Sequence, residues 1–171
     1  LNKLVVTYDE VHKACENLAK QISDDGWSPD ILVAIASGGF IPARILKTYI
    51  KKPVYVVGLK RYDEDHALHP VPLKIQWIDE VEKKLRGKKI LIVDEVDDTR
   101  VTLSYCVAEL SYHGPAEMRV AVLHQKNKPK EASFPAGLVT YQAVEIEDLW
   151  IKYPWDALDI EAHNQEALSL K

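Results

Sequence analysis

Cysteine is scarce: two in 171 residues, Cys15 and Cys106. Each sits among Ala, Leu and Val in a helix-like stretch, which favours buried thiols over a disulfide or a metal pair. None of the six histidines has a Cys or His partner at zinc-ligand spacing, so a structural metal site has no support. Long apolar runs are missing too. The longest, such as "ILVAIA" from Ile31 to Ala36, fall far short of the roughly 20 residues of a membrane helix, and no charged-then-apolar leader opens the chain. The expectation is a cytoplasmic protein with no membrane partner. No long Lys/Arg block is present and the net charge is −4, which argues against nucleic acid as a partner but leaves room for a small phosphate-bearing ligand.

What is present suits one globular domain with a sizeable core, since 47% of the residues are apolar. "TYDEVHKACENLAKQI" carries a Thr7-x-x-Glu10 capping box and apolar residues at Val11, Ala14, Cys15, Leu18 and Ile22, the spacing of a helix that Gly26 and Pro29 end. "DILVAIAS" reads as a buried strand followed by "GGF" and a helix over about 41–50. "PVYVVGLK", "KILIVDE" and "EMRVAVLH" read as further strands, with a helix from about Thr102 to His113. Between the second and third strands, "RYDEDHALHPVPLKIQWIDEVEKKLRG" is polar and proline-broken and is expected to be a mobile loop, with short flanking strands. Strand and helix alternate, so the fold class is α/β, a mostly parallel sheet flanked by helices. Ligands of such sheets bind outside the carboxyl ends of the strands. The proline-rich, aromatic last third is expected to be a cap rather than another βα unit.

The most informative stretch is "ILIVDEVDDTRVTL", in which a buried strand runs into Asp94, Glu95, Asp97 and Asp98. Crowded like charges are tolerated only if solvated or ligated. The amides of residues 99–102 would open a helix N-terminus, a seat for phosphate, with Thr99 and Thr102 adding hydroxyls. Asp94 and Glu95, acceptors only when ionised, suit vicinal sugar hydroxyls or a magnesium ion shared with substrate oxygens. Phosphate beside diol describes a ribose 5-phosphate; the plainer alternative is a solvated acidic loop.

This string resembles the phosphoribosyl diphosphate signature of the type I phosphoribosyltransferases. "ASGGFIPARIL" is similar to their pyrophosphate loop, and "LWIKYPWD", Leu149 to Asp156, resembles the C-terminal hood of the microbial 6-oxopurine branch. The likeness is closest to the yeast-type hypoxanthine-guanine enzymes, which share "LIVDEVDDTR", "GGFIPARIL" and "QWID". The resemblance implies a single phosphoribosyltransferase domain over 1–171, with a core over about 1–126 and a small base-binding hood over about 127–171. It also implies a cis peptide near Ser37-Gly38.

Carried residue by residue, the resemblance makes Asp98 the catalytic carboxylate near purine N7. Asp94, Glu95, Asp98, Thr99, Arg100, Val101 and Thr102 would bind the ribose phosphate. Ser37, Gly38 and Gly39, with Lys60, Arg61 and Tyr62 of a mobile catalytic loop, would bind pyrophosphate. Trp150 would stack on the purine, the Ile151 main chain would face its 2-substituent, and Lys126, with Lys128 as the alternative, would donate to O6. Asp94, Glu95 and Asp156 would serve Mg²⁺. Asp97 is expected to be an exposed spacer, and His66 and His69 have no role. Arg100 stands where many relatives have glycine, which raises the question of whether the turn needs a positive φ.

The activity implied is transfer of the phosphoribosyl group from phosphoribosyl diphosphate to N9 of hypoxanthine, guanine or xanthine. Pyrophosphate is released and a nucleoside monophosphate formed, a purine salvage reaction. A homodimer is also implied. Two rivals stand beside it: a non-catalytic regulator of the same fold that binds phosphoribosyl diphosphate or a nucleotide as effector, and a signalling domain with "VDEVDD" as phosphoacceptor site. The Trp150 hood counts against the second.

Overall fold

The computed structural model describes residues 2–171. Its elements run β1 (Lys3–Val5), α1 (Tyr8–Asp24), β2 (Ile31–Ala36), α2 (Phe40–Ile50), β3 (Val54–Tyr62), β4 (Leu68–Gln76), α3 (Val81–Leu85), β5 (Lys89–Asp97), α4 (Val101–Ser111), β6 (Glu117–Lys126), β7 (Val139–Ile146), β8 (Trp150–Lys152), a 3-10 turn at Pro154–Asp156 and α5 (Ile160–Ser169). Six strands form one sheet in the order β4-β3-β2-β5-β6-β7, parallel except for β4; β1 and β8 pair separately, also parallel. No helix among the described residues is long and apolar enough to cross a membrane.

The central strands are apolar at nearly every position because both faces are covered. Along β2, β5 and β6, Leu32, Ala34, Leu91, Val93, Ala121 and Leu123 pack toward α1 and α2, where Val11, Cys15, Leu18 and Leu46 meet them. The alternate residues Ile31, Val33, Ile35, Ile90, Ile92, Val120 and Val122 pack on the other face with Leu85 of α3 and Leu103, Cys106, Val107 and Leu110 of α4. Both thiols lie in these layers, free and buried, and burial pushes Cys15 up to about 12. The helix α1 begins where the capping box puts it: the Thr7 hydroxyl accepts from the Glu10 amide at 3.2 Å.

Two expectations need correction. The segment between β3 and β5 is largely ordered structure: β4 pairs antiparallel with β3, and α3 follows. Pro70 and Pro72 are tolerated in β4 because it is an edge strand. Its apolar residues Val71, Leu73 and Ile75 stay exposed, so burial gives no signal there. The last third is more than a cap. β7 extends the main sheet, pairing Arg119 with Val139 through Lys126 with Ile146, and only β8, the 3-10 turn and α5 lie outside that sheet.

Leu91 has no exposed surface in the middle of the sheet. Leu91→Ala is expected to cost about 2–5 kcal/mol, read as a lower urea midpoint with an unchanged slope.

Candidate active site

At the carboxyl end of β5 the chain turns through Asp98, Thr99 and Arg100 into α4. Arg100 sits at φ 72° and ψ 2° as the residue preceding the helix, so the turn does require the left-handed conformation that glycine adopts most easily. Asp97 compensates. It is 4% exposed rather than a solvated spacer, because it holds the Arg100 guanidinium through Nε at 3.1 Å and Nη2 at 2.8 Å. The guanidinium also lies 4.5 Å from the Phe134 ring centre. Arg100 is therefore committed to shaping the turn between β5 and α4. Arg100 gives α4 no side-chain cap, and the Thr99 hydroxyl accepts only from the Val101 amide, at 3.4 Å, so the positive end of the helix is largely uncompensated beside the cavity.

Beside this turn the β2–α2 loop brings Ser37 and Gly38 against the acidic pair. The Gly38 backbone is so close to Glu95 that a Cβ there would overlap Oε2, at 1.1 Å, and would force the Glu95 carboxylate to move. The cis peptide is Ala36–Ser37, one bond earlier than expected. Gly39 has a packing role: its amide donates to the Ile35 carbonyl at 2.8 Å, and a Cβ would strike the Val93 and Ile35 carbonyls. Asp94 is 7% exposed and accepts from the Glu95 amide at 2.8 Å. Burial, and then the neighbouring Glu95 charge, push the Asp94 carboxyl well up; burial also raises Glu95, with the Asp156 charge adding to the rise. Glu95 Oε2 is buried and has no hydrogen-bond partner.

These groups line one cavity of about 460 Å³ at the ends of β2, β3 and β5, with Ser37, Gly38, Asp94, Glu95, Asp98 and Thr99 on its wall. Arg100 and Thr102 line it too, as do Arg61 and Tyr62 from the opposite side. Arg61 is turned toward the β3–β4 hairpin, its Nε 3.4 Å from the His69 carbonyl. Lys60, Gly39 and Val101 are not on the cavity wall.

The residues expected at the base lie on the rim. Lys126, 7% exposed at the end of β6, places Nζ 3.1 Å from Asp98 Oδ2, while Lys128 takes Oδ1 at 2.8 Å. Burial would raise the Asp98 carboxyl, but Lys128 and Lys126 outweigh it and hold it below the usual range. Trp150 is 70% exposed, and with Ile151 and Asp156 it borders a separate recess against α5. The structure thus joins Asp98 to Lys126 directly, with Trp150 in a neighbouring recess.

Four contributors escaped the sequence. Lys130 donates to the carbonyls of Asp97 (3.2 Å), Asp98 (2.8 Å) and Lys126 (2.8 Å), tying the turn before α4 to the end of β6. Tyr153 donates to the Glu95 carbonyl at 3.2 Å, lies 2.9 Å from His124 Nδ1, and stacks on Trp155 with ring centres 4.5 Å apart. Burial lowers His124 to about 4, so the ring is neutral at ordinary pH. Asp148 lies 3.2 Å from Lys128 and 3.6 Å from Lys126. Only the alternate spacing of Lys126, Lys128 and Lys130 hinted at any of this.

The profile of the phosphoribosyl transferase domain matches residues 7–156. The chain belongs to the phosphoribosyltransferases. The xanthine phosphoribosyltransferase 1 of Saccharomyces cerevisiae is 36% identical, with 96% of this chain and 95% of that protein covered. The hypoxanthine-guanine phosphoribosyltransferase of the same yeast is 34% identical, over 98% and 91%. Among solved structures, a Neisseria gonorrhoeae protein with bound ppGpp superposes with a TM-score of 0.92 at 42% identity, covering 99% of this chain and 98% of that one. A purine phosphoribosyltransferase from Pyrococcus horikoshii gives 0.72 at 26%, over 93% and 97%. The family and the mostly parallel α/β fold implied by the sequence motifs are thereby borne out.

A carboxyl whose folded-state pKa is raised destabilises the free phosphoribosyltransferase above that value and is neutral below its unfolded value of about 4.3. Glu95→Gln is therefore expected to raise Tm at pH 7, and the gain should vanish as the pH falls through the ordinary carboxylate range. Thermal melts between pH 4 and 8 check both the sign and the window.

Proposed function

We propose that this phosphoribosyltransferase transfers the phosphoribosyl group of phosphoribosyl diphosphate to N9 of a 6-oxopurine. The observation that carries the reading is the order of groups along one strand end. A buried Glu95 oxygen without a partner, the anion-accepting turn before α4, and Asp98 paired with Lys126 follow one another from cavity to rim. The base class is supported by the likeness to xanthine and hypoxanthine-guanine enzymes over almost the whole chain.

In this reaction the C1′–N9 bond forms as the C1′–O bond to pyrophosphate breaks, the leaving group taking the electron pair. Asp98, held ionised, receives the proton at purine N7. Lys126 donates to the 6-oxo oxygen and has no match in a 6-amino group. Stacking on Trp150 contributes about 1–3 kcal/mol per base. Asp94 and Glu95 accept from the ribose hydroxyls, and Ser37 and Gly38 face the pyrophosphate. The protein's contribution is placement and charge rather than covalent chemistry.

The acidic pair also fits Mg²⁺. Its carboxylate oxygens are hard donors, and among the described residues no group of three His, Cys, Asp or Glu side chains could hold a metal, as suits an ion completed by substrate oxygens and water. Asp94 and Glu95 would serve it as a pair; Asp156, the third carboxylate that the resemblance implied, borders the recess against α5 and forms no three-residue metal group with them. When bound, the ion neutralises charge on the departing pyrophosphate. A homodimer and a cytoplasmic setting belong to the same reading, and the exposed Phe40 beside the pyrophosphate loop is a candidate contact for the second copy.

The test is pyrophosphate release with phosphoribosyl diphosphate and Mg²⁺, offering hypoxanthine, guanine, xanthine and adenine separately. Turnover is expected with one or more 6-oxopurines and not with adenine, and Asp98→Asn should lower kcat about 10²–10⁴-fold. Tight binding of phosphoribosyl diphosphate with no turnover of any base would leave the effector-binding regulator instead.

A second reading concerns inhibition, and the ppGpp-bound neighbour favours it. A guanine ring with pyrophosphate groups presents the same chemistry as the substrates. ppGpp should raise the apparent KM for phosphoribosyl diphosphate and leave kcat unchanged; an unaltered KM at saturating ppGpp removes this reading.

A further inference from the structure

Two lysines share one carboxylate at the base end, and they do so on different oxygens. Lys126 Nζ approaches Asp98 Oδ2 at 3.1 Å and Lys128 Nζ approaches Oδ1 at 2.8 Å. They are not equivalent. The Lys126 side chain is 9% exposed and that of Lys128 23%. Lys128 is also gripped from behind by both oxygens of Asp148, at 3.3 and 3.2 Å, whereas Lys126 has Asp148 only at 3.6 Å.

From this geometry we infer that Lys128, braced by Asp148, is a positioning residue: it fixes the Asp98 carboxylate by one oxygen and leaves the other oxygen, with Lys126, to meet the purine. The inference rests on the 6-oxopurine reading above and adds to it a division of labour between the two lysines. When a base arrives, Lys126 has to exchange part of its contact with Oδ2 for the purine oxygen. Lys128 does not move in that exchange. A carboxylate held on one side only keeps its direction through the turnover, which positioning demands.

The charged surroundings of Asp98 make the effect of losing Lys128 definite in sign. Lys126 and Lys128 face its oxygens, Asp148 faces both lysines, Lys130 binds its carbonyl, and the Asp97–Arg100 pair lies behind the turn. The Tyr153 hydroxyl, toward β8, is committed to Glu95. Of these, only Lys126 and Lys128 donate to the Asp98 carboxylate, so removing Lys128 raises it. The lost ionisation appears first at low pH.

The experiment measures kcat with hypoxanthine from pH 5 to 8, and follows the Asp98 side-chain carboxyl in the free protein by ¹³C NMR, with Asp98→Asn for assignment. Lys128→Met should lower the ratio of kcat at pH 5 to kcat at pH 8 by up to about twofold relative to the parent, because a carboxyl that starts below the usual range and is displaced by up to about one unit stays more than half ionised at pH 5. The NMR midpoint should rise with it. Asp148→Asn should do the same more weakly, and Lys128→Arg should restore both readouts. If Lys128→Met fails to fold, Asp148→Asn carries the test. A uniform fall in kcat at every pH with an unmoved midpoint would overturn the inference. So would a raised KM for hypoxanthine in Lys128→Met that Lys126→Met does not share, because that would make Lys128 the reader of the oxo group. If the parent turns over no base, the function fails separately, and the NMR midpoint still decides the role of Lys128.

Discussion

The ligand end of this molecule depends on keeping two adjacent carboxylates, Asp94 and Glu95, out of water without a cation of the protein's own beside them. Desolvation and mutual repulsion both work against ionisation there. The buried Glu95 oxygen without a partner marks where that tension is concentrated. The rest of the site follows from this constraint. Glycine at 38 lets the Glu95 carboxylate lie against the β2–α2 loop, and the positive charge of the site comes from another strand, at the end of β6, through Lys126, Lys128 and Lys130.

The turn after β5 shows how the chain manages a conformation that its side chain disfavours. Arg100 occupies the left-handed region, and two guanidinium donors converging on Asp97 Oδ2, backed by Phe134, hold it there. A residue that looks interchangeable with glycine in a motif has instead become part of the loop's frame. Lys130 then fastens that frame to the end of β6 through three carbonyls. The turn before α4 and Lys126 at the end of β6 are therefore one mechanical unit.

Much of the fold was legible in the sequence where one physical signal dominated. The capping box marked the start of α1, and the uninterrupted apolar runs marked β2, β5 and β6. The edge strand β4 was not legible, since its prolines and exposed Val71, Leu73 and Ile75 obscure the alternation of a half-buried strand. β7 was hidden in a segment that reads as proline-rich cap. At the site, Asp94, Glu95, Asp98, Thr99, Arg100 and Thr102 share one cavity wall, as their order in the motif suggested. Contacts made across the fold were not legible: Tyr153 to Glu95 spans 58 positions and Lys128 to Asp98 spans 30. Asp97 looked like a spacer because nothing local reveals that the next turn needs an anchor.

The contact from the Tyr153 hydroxyl to the Glu95 carbonyl, with neutral His124 behind it, has a further consequence. It fastens the hood to the central strand from the rear of the aromatic platform, through main-chain oxygen rather than through any group that touches ligand. The exposed rim residues Asp148 and Trp150 can thus change without touching that contact. Enzymes built this way can diverge in the base they accept while the sugar end of the reaction stays as it was.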